Sequence, residues 1–313
     1  MPKRQAAEAP EECKWAYDIF TGEKAEKAAQ LCMRGFTLRK LALMTPMELA
    51  DLLGYEDVTD AEKAARRLRQ AAGLDSKPIT IADLKKKQDR VLKTGVEEFD
   101  EKTPWKGIKF GLVYGFAGEF GTGKSLFAKQ VSAAALAAGM KVAYFDTEGT
   151  FDVDDSTIYA MFKRFGVPED AYNRLWIYRP VDSFQLIEQL KELPEDVEVV
   201  VVDSLVALFR AEYRGRQLLA PRQQAILYTL NLLLRLARLG KLAIVTDQVM
   251  DVPAFFALKR PAGGNVLLHT VQAIFMMERP SKQKLEGVMW PMDVPGMAPS
   301  TEIKYRIRED GLY

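Results

Sequence analysis

The spacing of apolar positions changes along this chain, and the change divides it. From about residue 11 to 74 apolar residues recur at helical intervals, with no strand pattern. Glu26–Met33 reads as one helix. Thr45–Leu53 reads as another: Thr45 is placed to cap it, Pro46 falls at its first position, Glu48 closes a capping box and Gly54 stops it. Asp60–Ala72 is a further helix, whose Lys63, Arg66, Arg67 and Arg69 read as a solvated face. Asp75–Pro78 reads as a linker, Ile79–Ile81 as a short β-branched segment and Ala82–Asp89 as a polar helix. Past Trp105–Gly111 the pattern becomes strand and helix in alternation. The apolar runs Leu112–Phe116, Lys141–Asp146, Glu198–Asp203 and Lys241–Thr246 are separated by helical stretches, as in a parallel sheet covered on both faces. Gln272–Met277, Gly287–Asp293 and Glu302–Ile307 read as further strands. The expected division is an all-α domain at 1–74, a connecting segment at 75–90 and an α/β core at 91–313.

The run Gly118-Glu119-Phe120-Gly121-Thr122-Gly123-Lys124-Ser125 lies between a buried strand and a helix, Lys124–Ala138, stopped by Gly139. It fits the phosphate-binding loop G-x-x-x-x-G-K-[ST] in full. Glycines let the backbone wrap a phosphate with its N–H groups inward, Lys124 would meet the β- and γ-phosphates, and Ser125 would offer a hydroxyl to Mg²⁺. Val199–Asp203 is an apolar strand ending in an acid, which would hold the same Mg²⁺ through Asp203. Glu148, after the strand ending at Asp146, is the candidate general base for attack of water on the γ-phosphate, or else a capping acid at a strand–loop junction. Gln248 ends another strand at the same edge, where open α/β sheets bind ligands. A segment from Met250 to Asn265 follows, reading as a flexible loop with Phe255, Phe256, Lys259, Arg260, Gly263 and Gly264. A second segment, after Asp203, carries Arg210, Tyr213, Arg214, Arg216 and Arg222. Arginines with an interleaved tyrosine suit a nucleic-acid backbone and base stacking; a solvated basic loop is the plainer reading.

Together these residues resemble a RecA-superfamily recombinase of the archaeal RadA type, from about residue 36 to 313. The specific parts are Gly118–Ser125, Asp146–Phe151, Asp203-Ser204, Phe209–Arg216, Arg222–Gln224, Gln248–Met250 and Gly263–Asn265 leading to His269. The resemblance implies a RecA-like P-loop ATPase core with a mostly parallel sheet, preceded by a small helix-hairpin-helix-like domain. It implies ATP and Mg²⁺ as cofactors and a DNA-dependent ATPase that forms a filament on single-stranded DNA, pairs it with double-stranded DNA and promotes strand exchange. Gln248 would sense the γ-phosphate, Arg210–Arg222 would form the first DNA loop, and about Asp251 to Gly264 the second. His269, the single histidine, falls where the family couples that loop to a neighbour's nucleotide; a packed or capping histidine is the alternative. Ile79 and Ala82 match the segment by which one subunit docks on the next in a filament or ring. Asp293 and Pro295 match the cap placed over a neighbour's ATP. The alternative function is a recombinase paralogue, a DNA-binding accessory to a second recombinase with little ATPase of its own.

Departures from the family pattern favour that alternative. Ile79 replaces the docking aromatic. Asp152-Val153-Asp154-Asp155 is acidic where an arginine near the adenine is usual. Gly54-Tyr55-Glu56-Asp57 brings acids to a hairpin that usually meets a phosphate, so weak DNA binding is expected there. Asp247 replaces the usual Asn and would oppose the γ-phosphate unless compensated. The stretch Met276–Met292 is less basic than a duplex-guiding face. Composition adds little: 313 residues, 48% hydrophobic, 28% charged and a net charge of +1 do not announce a nucleic-acid binder. Cys13 and Cys32 make no zinc site; a disulfide between them is possible but not indicated, so a reducing cytosol is the default expectation. No apolar run reaches membrane-spanning length, so no membrane partner is expected. Few asparagines (Asn173, Asn231, Asn265) and abundant charge point to a thermophile. The expected location is the cytoplasm, at the nucleoid, of a thermophilic archaeon.

Overall fold

The computed structural model describes residues 10–74, 78, 80–82, 89–151, 156–252, 258–281 and 283–313. The chain divides into two compact units, Met1–Lys87 and Gln88–Tyr313. Ile79 and the acidic stretch Asp152–Asp155 lie outside the described residues, as does most of the expected polar helix after Ala82.

The first unit is helical: α1 (Trp15–Ile19), α2 (Glu23–Met33), α3 (Leu38–Ala42), α4 (Pro46–Leu53) and α5 (Val58–Ala71). Small and branched residues fill its centre, with Ala28, Leu41, Leu49, Leu53, Ala65 and Leu68 buried. The capping box forms as its sequence dictates: the Glu48 N–H donates to Thr45 Oγ1 at 3.2 Å, and the Thr45 N–H to Glu48 Oε2 at 2.7 Å. Gly54 ends α4 in the left-handed region at φ 70°. Beyond it, Asp57 caps α5 by accepting from the Thr59 N–H at 2.8 Å. The hairpin thus meets a donor at the start of α5 with its own carboxylate.

The cysteines differ from expectation. Cys13 and Cys32 form a disulfide with Cα atoms 5.7 Å apart. Each looks isolated in sequence, 19 residues from the other. The fold lays the last turn of α2 against the 3-10 turn Glu11–Cys13 and brings them together.

The second unit runs β1 (Val91–Leu92), α6 (Glu97–Lys102), β2 (Ile108–Lys109), β3 (Val113–Gly118), α7 (Lys124–Ala137), β4 (Lys141–Asp146), α8 (Ser156–Phe165), β5 (Leu175–Tyr178), α9 (Ser183–Lys191), β6 (Val197–Asp203), α10 (Ala207–Glu212), α11 (Leu219–Arg238), β7 (Leu242–Val252), β8 (Leu258–Pro261), α12 (Gly264–Thr270), β9 (Ala273–Glu278), β10 (Glu286–Asp293), β11 (Ile303–Arg308) and β12 (Gly311–Leu312). The main sheet has the order β12-β11-β10-β9-β3-β7-β6-β4-β5. It is parallel from β9 to β5, and β10 to β12 continue it antiparallel. This is the RecA-like α/β core with preceding helices that the sequence implies.

Continuous apolar runs make sense here because each parallel strand is buried on both faces. On β6, Val199 and Val201 enter the core shared with Phe127, Val131 and Leu136 of α7. Val200 and Val202 enter the other core, with Leu186 of α9 and Leu230 and Leu233 of α11. The chain end is fixed to α7, where Gln130 donates to the carbonyls of Thr94 and Leu312 and accepts from the Leu312 N–H at 2.6 Å.

Reduction with dithiothreitol, or Cys32→Ser, is expected to lower the stability of the first unit by roughly 3 kcal/mol, the scale for a crosslink closing a loop of this length. Thermal unfolding with and without reductant reads this out; identical transitions would contradict it.

Candidate functional site

The C-terminal ends of β3, β4, β6 and β7 converge, with Gly118 in register with Gln248 and Asp146 with Asp203. The glycine-rich turn leaves β3 at Gly118, where any side chain is excluded: a Cβ there would lie 2.3 Å from the Met277 carbonyl oxygen. Gly123 begins α7 with φ 95°. A loop whose N–H groups face a phosphate must send carbonyls elsewhere, and those carbonyls have partners. Lys124 Nζ donates to the carbonyls of Gly118 at 2.9 Å and Glu119 at 2.7 Å. Arg279 donates to Gly121 at 2.8 Å, and the Tyr305 hydroxyl to Thr122 at 2.6 Å. Burial holds the Lys124 ammonium below its ordinary pKa, against the opposing pull of Asp203, Glu148, Asp247 and Glu119.

Asp203 is buried at the end of β6. Its Oδ1 accepts from Ser125 Oγ at 3.0 Å and from the Thr246 hydroxyl, and its Oδ2 accepts from the Tyr144 hydroxyl at 2.6 Å. Burial, then the adjacent Asp203 charge, holds the Tyr144 phenol well above its usual range, so it remains a donor. Asp146 shapes the next turn by accepting from the N–H groups of Thr150 and Phe151, each at 2.9 Å. That turn presents Glu148, whose Oε1 accepts from Ser204 Oγ at 2.7 Å and from Gln248 Nε2 at 3.4 Å. Lys124, Ser125, Glu148, Asp203 and Gln248 therefore line one cleft of about 250 Å³, with Phe120 exposed in its wall. A larger groove of about 730 Å³, lined by Glu98, Glu286, Lys304 and Arg306 among others, lacks the glycine-rich turn.

The donor set fits a nucleoside triphosphate with a hard divalent cation: backbone N–H groups, an ammonium, a hydroxyl and a carboxylate. Among the described residues no group of three or more His, Cys, Asp or Glu is placed to hold a metal ion by itself. Ser125 and Asp203 would thus share a cation with phosphate and water oxygens. Sequence does not distinguish Tyr144 and Thr246 as site residues, and it marks Ser204 only as part of the Asp203-Ser204 motif, with no role.

The basic segment after β6 is more ordered than a loop. Arg210 lies on α10, Arg216 opens a 3-10 turn (Arg216–Leu218) and Arg222 lies in the first turn of α11. Arg210, Arg214 and Arg216 are exposed, and Arg214 Nε donates to the Ala211 carbonyl at 2.9 Å. Tyr213 is half-buried and packs against the core beneath, so its ring is not wholly free to stack. Arg222 is half-buried, and its Nε has no hydrogen-bond partner among the described residues.

The segment after Gln248, expected to be a flexible loop, is a hairpin: β7 continues to Val252 and pairs antiparallel with β8, Asp251 opposite Lys259 and Met250 opposite Arg260. Residues 253–257 lie outside the described residues. Gly263 and Gly264 start α12, and His269 is exposed in its last turn. Ala82 is exposed, and Ile81 is 74% exposed. Asp293 and Pro295 are exposed at the opposite sheet edge, since Asp293 pairs with Ile274 near the start of β9. They do not line the cleft of their own chain.

Asp247 is the main departure from expectation in the site. It does not point its charge into the cleft; its oxygens accept from the N–H groups of Gly263 at 2.7 Å and Gln248 at 2.9 Å. Burial pushes its carboxyl up to about 7, although those two N–H groups, Lys124 and Arg210 pull it down.

A glycine-rich turn at the C-terminal edge of a parallel sheet, opening a buried helix opposite a strand-ending acid, defines a P-loop nucleotide-binding α/β protein. Comparison with known proteins narrows the class. A family model described as Rad51 matches residues 85–313. The DNA repair and recombination protein RadA of Ignicoccus hospitalis is 33% identical over 306 residues, covering 91% of each chain. Its namesake in Aeropyrum pernix is 31% identical over 304 residues, covering 91% of this chain and 92% of the relative. That of Metallosphaera sedula is 30% identical over 291 residues, covering 88% of each. The chain belongs to the Rad51 family, in accord with the RadA-type resemblance of its motifs. Among the described residues no helix is long and apolar enough to cross a membrane.

A carboxyl raised from 3.8 to about 7 adds stability when protonated. That contribution is fully present below the unfolded value and is lost as pH rises through the folded one. Asp247→Asn removes the dependence. The Tm difference between variant and wild type should therefore move in the variant's favour from about pH 5 to about pH 8; a constant difference would contradict the burial argument.

Proposed function

We propose that this protein is a DNA-dependent ATPase that assembles on single-stranded DNA and promotes homologous pairing and strand exchange, acting at the nucleoid. The observation that carries this reading is the meeting of Gln248 with Glu148 over the cleft, because β7 runs directly from Gln248 into the basic hairpin.

The N–H groups of Gly118–Ser125 cradle the phosphates, and Lys124 exchanges the carbonyls of Gly118 and Glu119 for phosphate oxygens. Ser125 and Asp203 would hold Mg²⁺, which would supply positive charge against the triphosphate. Glu148, steadied by Ser204, orients the attacking water and takes its proton. Gln248 contacts the γ-phosphate and shifts the hairpin that it begins, a nucleotide-driven switch. Arg210, Tyr213, Arg214, Arg216 and Arg222 form one DNA-binding surface, and Lys259, Arg260, Gly263 and Gly264 belong to the other. Binding runs through phosphates and stacking, independent of sequence. Asp293 and Pro295, at the opposite edge of the sheet, reach a nucleotide only on another copy. Ile79 and Ala82 dock successive copies, and His269 faces the shared nucleotide.

ATP hydrolysis with and without single-stranded DNA, with electron microscopy of the same mixtures, tests the reading. DNA-stimulated turnover with regular filaments is expected. DNA binding with little turnover and no filaments would overturn it in favour of an accessory paralogue.

Two sets of variants sharpen the test. Lys124→Ala should abolish turnover, and Glu148→Gln should retain nucleotide while slowing hydrolysis by about 10²-fold or more; unaltered hydrolysis in either would remove that assignment. Arg210→Ala and Arg216→Ala should each weaken DNA binding and flatten its log–log salt dependence by about 0.7 for each single-strand phosphate that the arginine neutralises. An unchanged slope would remove that arginine from the surface.

A further inference from the structure

Asp247 has no part in the roles assigned above, yet it occupies the point where they meet. Thr246, Asp247 and Gln248 follow one another on β7. Thr246 donates to Asp203 and Gln248 donates to Glu148, both toward the cleft. A strand turns alternate side chains to opposite faces. Asp247 accordingly points away from the cleft and is 1% exposed.

Its two oxygens hold two different backbone positions. Oδ1 accepts from the Gln248 N–H and Oδ2 from the Gly263 N–H, the latter at 2.7 Å. A third bond closes the figure: the Ala262 N–H donates to the Gln248 carbonyl at 2.7 Å. The return arm of the hairpin is therefore fastened at Ala262 and Gly263 to Asp247 and Gln248. The fit at Gly263 is close, since a Cβ there would lie 3.2 Å from Asp247 Oδ2 and 3.0 Å from the Leu267 Cβ. Lys124 at the start of α7 and Arg210 on α10 lie near enough to act on the carboxyl electrostatically. One buried acid thus adjoins the phosphate loop, the hairpin exit and the helix bearing the first basic surface.

The ionised carboxylate presents an acceptor on each oxygen, so one side chain can join both N–H groups, and Ala at this position would release both.

We propose that Asp247 is a positioning residue that couples the nucleotide cleft to the DNA-facing hairpin, by holding the backbone of Gln248 and of Gly263 as one unit. A shift of Gln248 on nucleotide binding then moves the hairpin exit directly, and α12 with it, because Gly263 is the residue that precedes that helix. This rests on the reading that Gln248 meets nucleotide and the hairpin meets DNA.

The test compares the wild-type chain and Asp247→Ala in the binding of a non-hydrolysable ATP analogue, with and without a poly-dT oligonucleotide. DNA should tighten nucleotide binding to wild type by about tenfold, within the usual range of allosteric coupling, and to the variant by less than about twofold. Without DNA, the variant should bind the analogue no more weakly than wild type. Coupling of wild-type size in a folded Asp247→Ala would overturn the proposal. Amide hydrogen exchange on the wild-type protein gives a second arm that needs neither variant nor DNA. The analogue alone should change protection of the Ala262 and Gly263 amides, and exchange there indifferent to the analogue would also overturn the proposal. Absence of any DNA effect on wild type, together with a nucleotide effect at Gly263, would count against the functional reading and leave the tie supported.

Discussion

A carboxylate buried inside a parallel sheet needs hydrogen-bond donors around it. Asp203 meets that condition with hydroxyl groups from three elements: Ser125 of α7, Tyr144 of β4 and Thr246 of β7. Its backbone carbonyl also accepts from the Thr147 N–H at 2.9 Å, which sets the start of the turn bearing Glu148. The acid therefore fixes the phosphate loop, the Glu148 turn and the Gln248 strand relative to one another. Losing the Tyr144 hydroxyl would leave Oδ2 unmatched, at a cost of about 1–3 kcal/mol, whereas Oδ1 keeps one donor if either Ser125 or Thr246 is lost. Truncating the acid would leave the hydroxyls of Tyr144 and Thr246 buried without it.

The arrangement also explains how a rigid sheet can serve a moving part. β7 is held by β6 up to Val245 and by β3 up to Gln248; beyond it, among the described residues, the strand is paired only with β8 in the hairpin. The change from central strand to two-stranded ribbon falls at the residue whose side chain meets Glu148. A two-stranded ribbon is marginal by itself, so its position depends on the bonds at its base. Those bonds come from Asp247 and Gln248.

Much of this was legible in the sequence, for local reasons. The phosphate loop is a contiguous motif. The parallel strands are continuous apolar runs because both faces are buried, and the α4 capping box sits within four consecutive residues. What was missed depends on distant approach. The Cys13–Cys32 bond needs the packing of α2 against the N-terminal turn. The partial burial of Tyr213 needs the core formed by α9, α10 and α11. Asp247 was expected to oppose the nucleotide because proximity in sequence to Gln248 was taken for proximity in space. Strand alternation turns it the other way, toward Gly263, which lies across the hairpin. The hairpin was expected as a flexible loop because its glycines, prolines and charges hide a short ladder.

If one chain links a nucleotide cleft to DNA through the base of this hairpin, each ligand must tighten the other, because linkage is reciprocal. The affinity of the wild-type protein for a single-stranded oligonucleotide, with and without saturating ATP analogue at fixed salt, measures this. Tighter DNA binding is expected with the analogue, by the same factor by which DNA tightens the analogue. DNA affinity that is indifferent to nucleotide would contradict it.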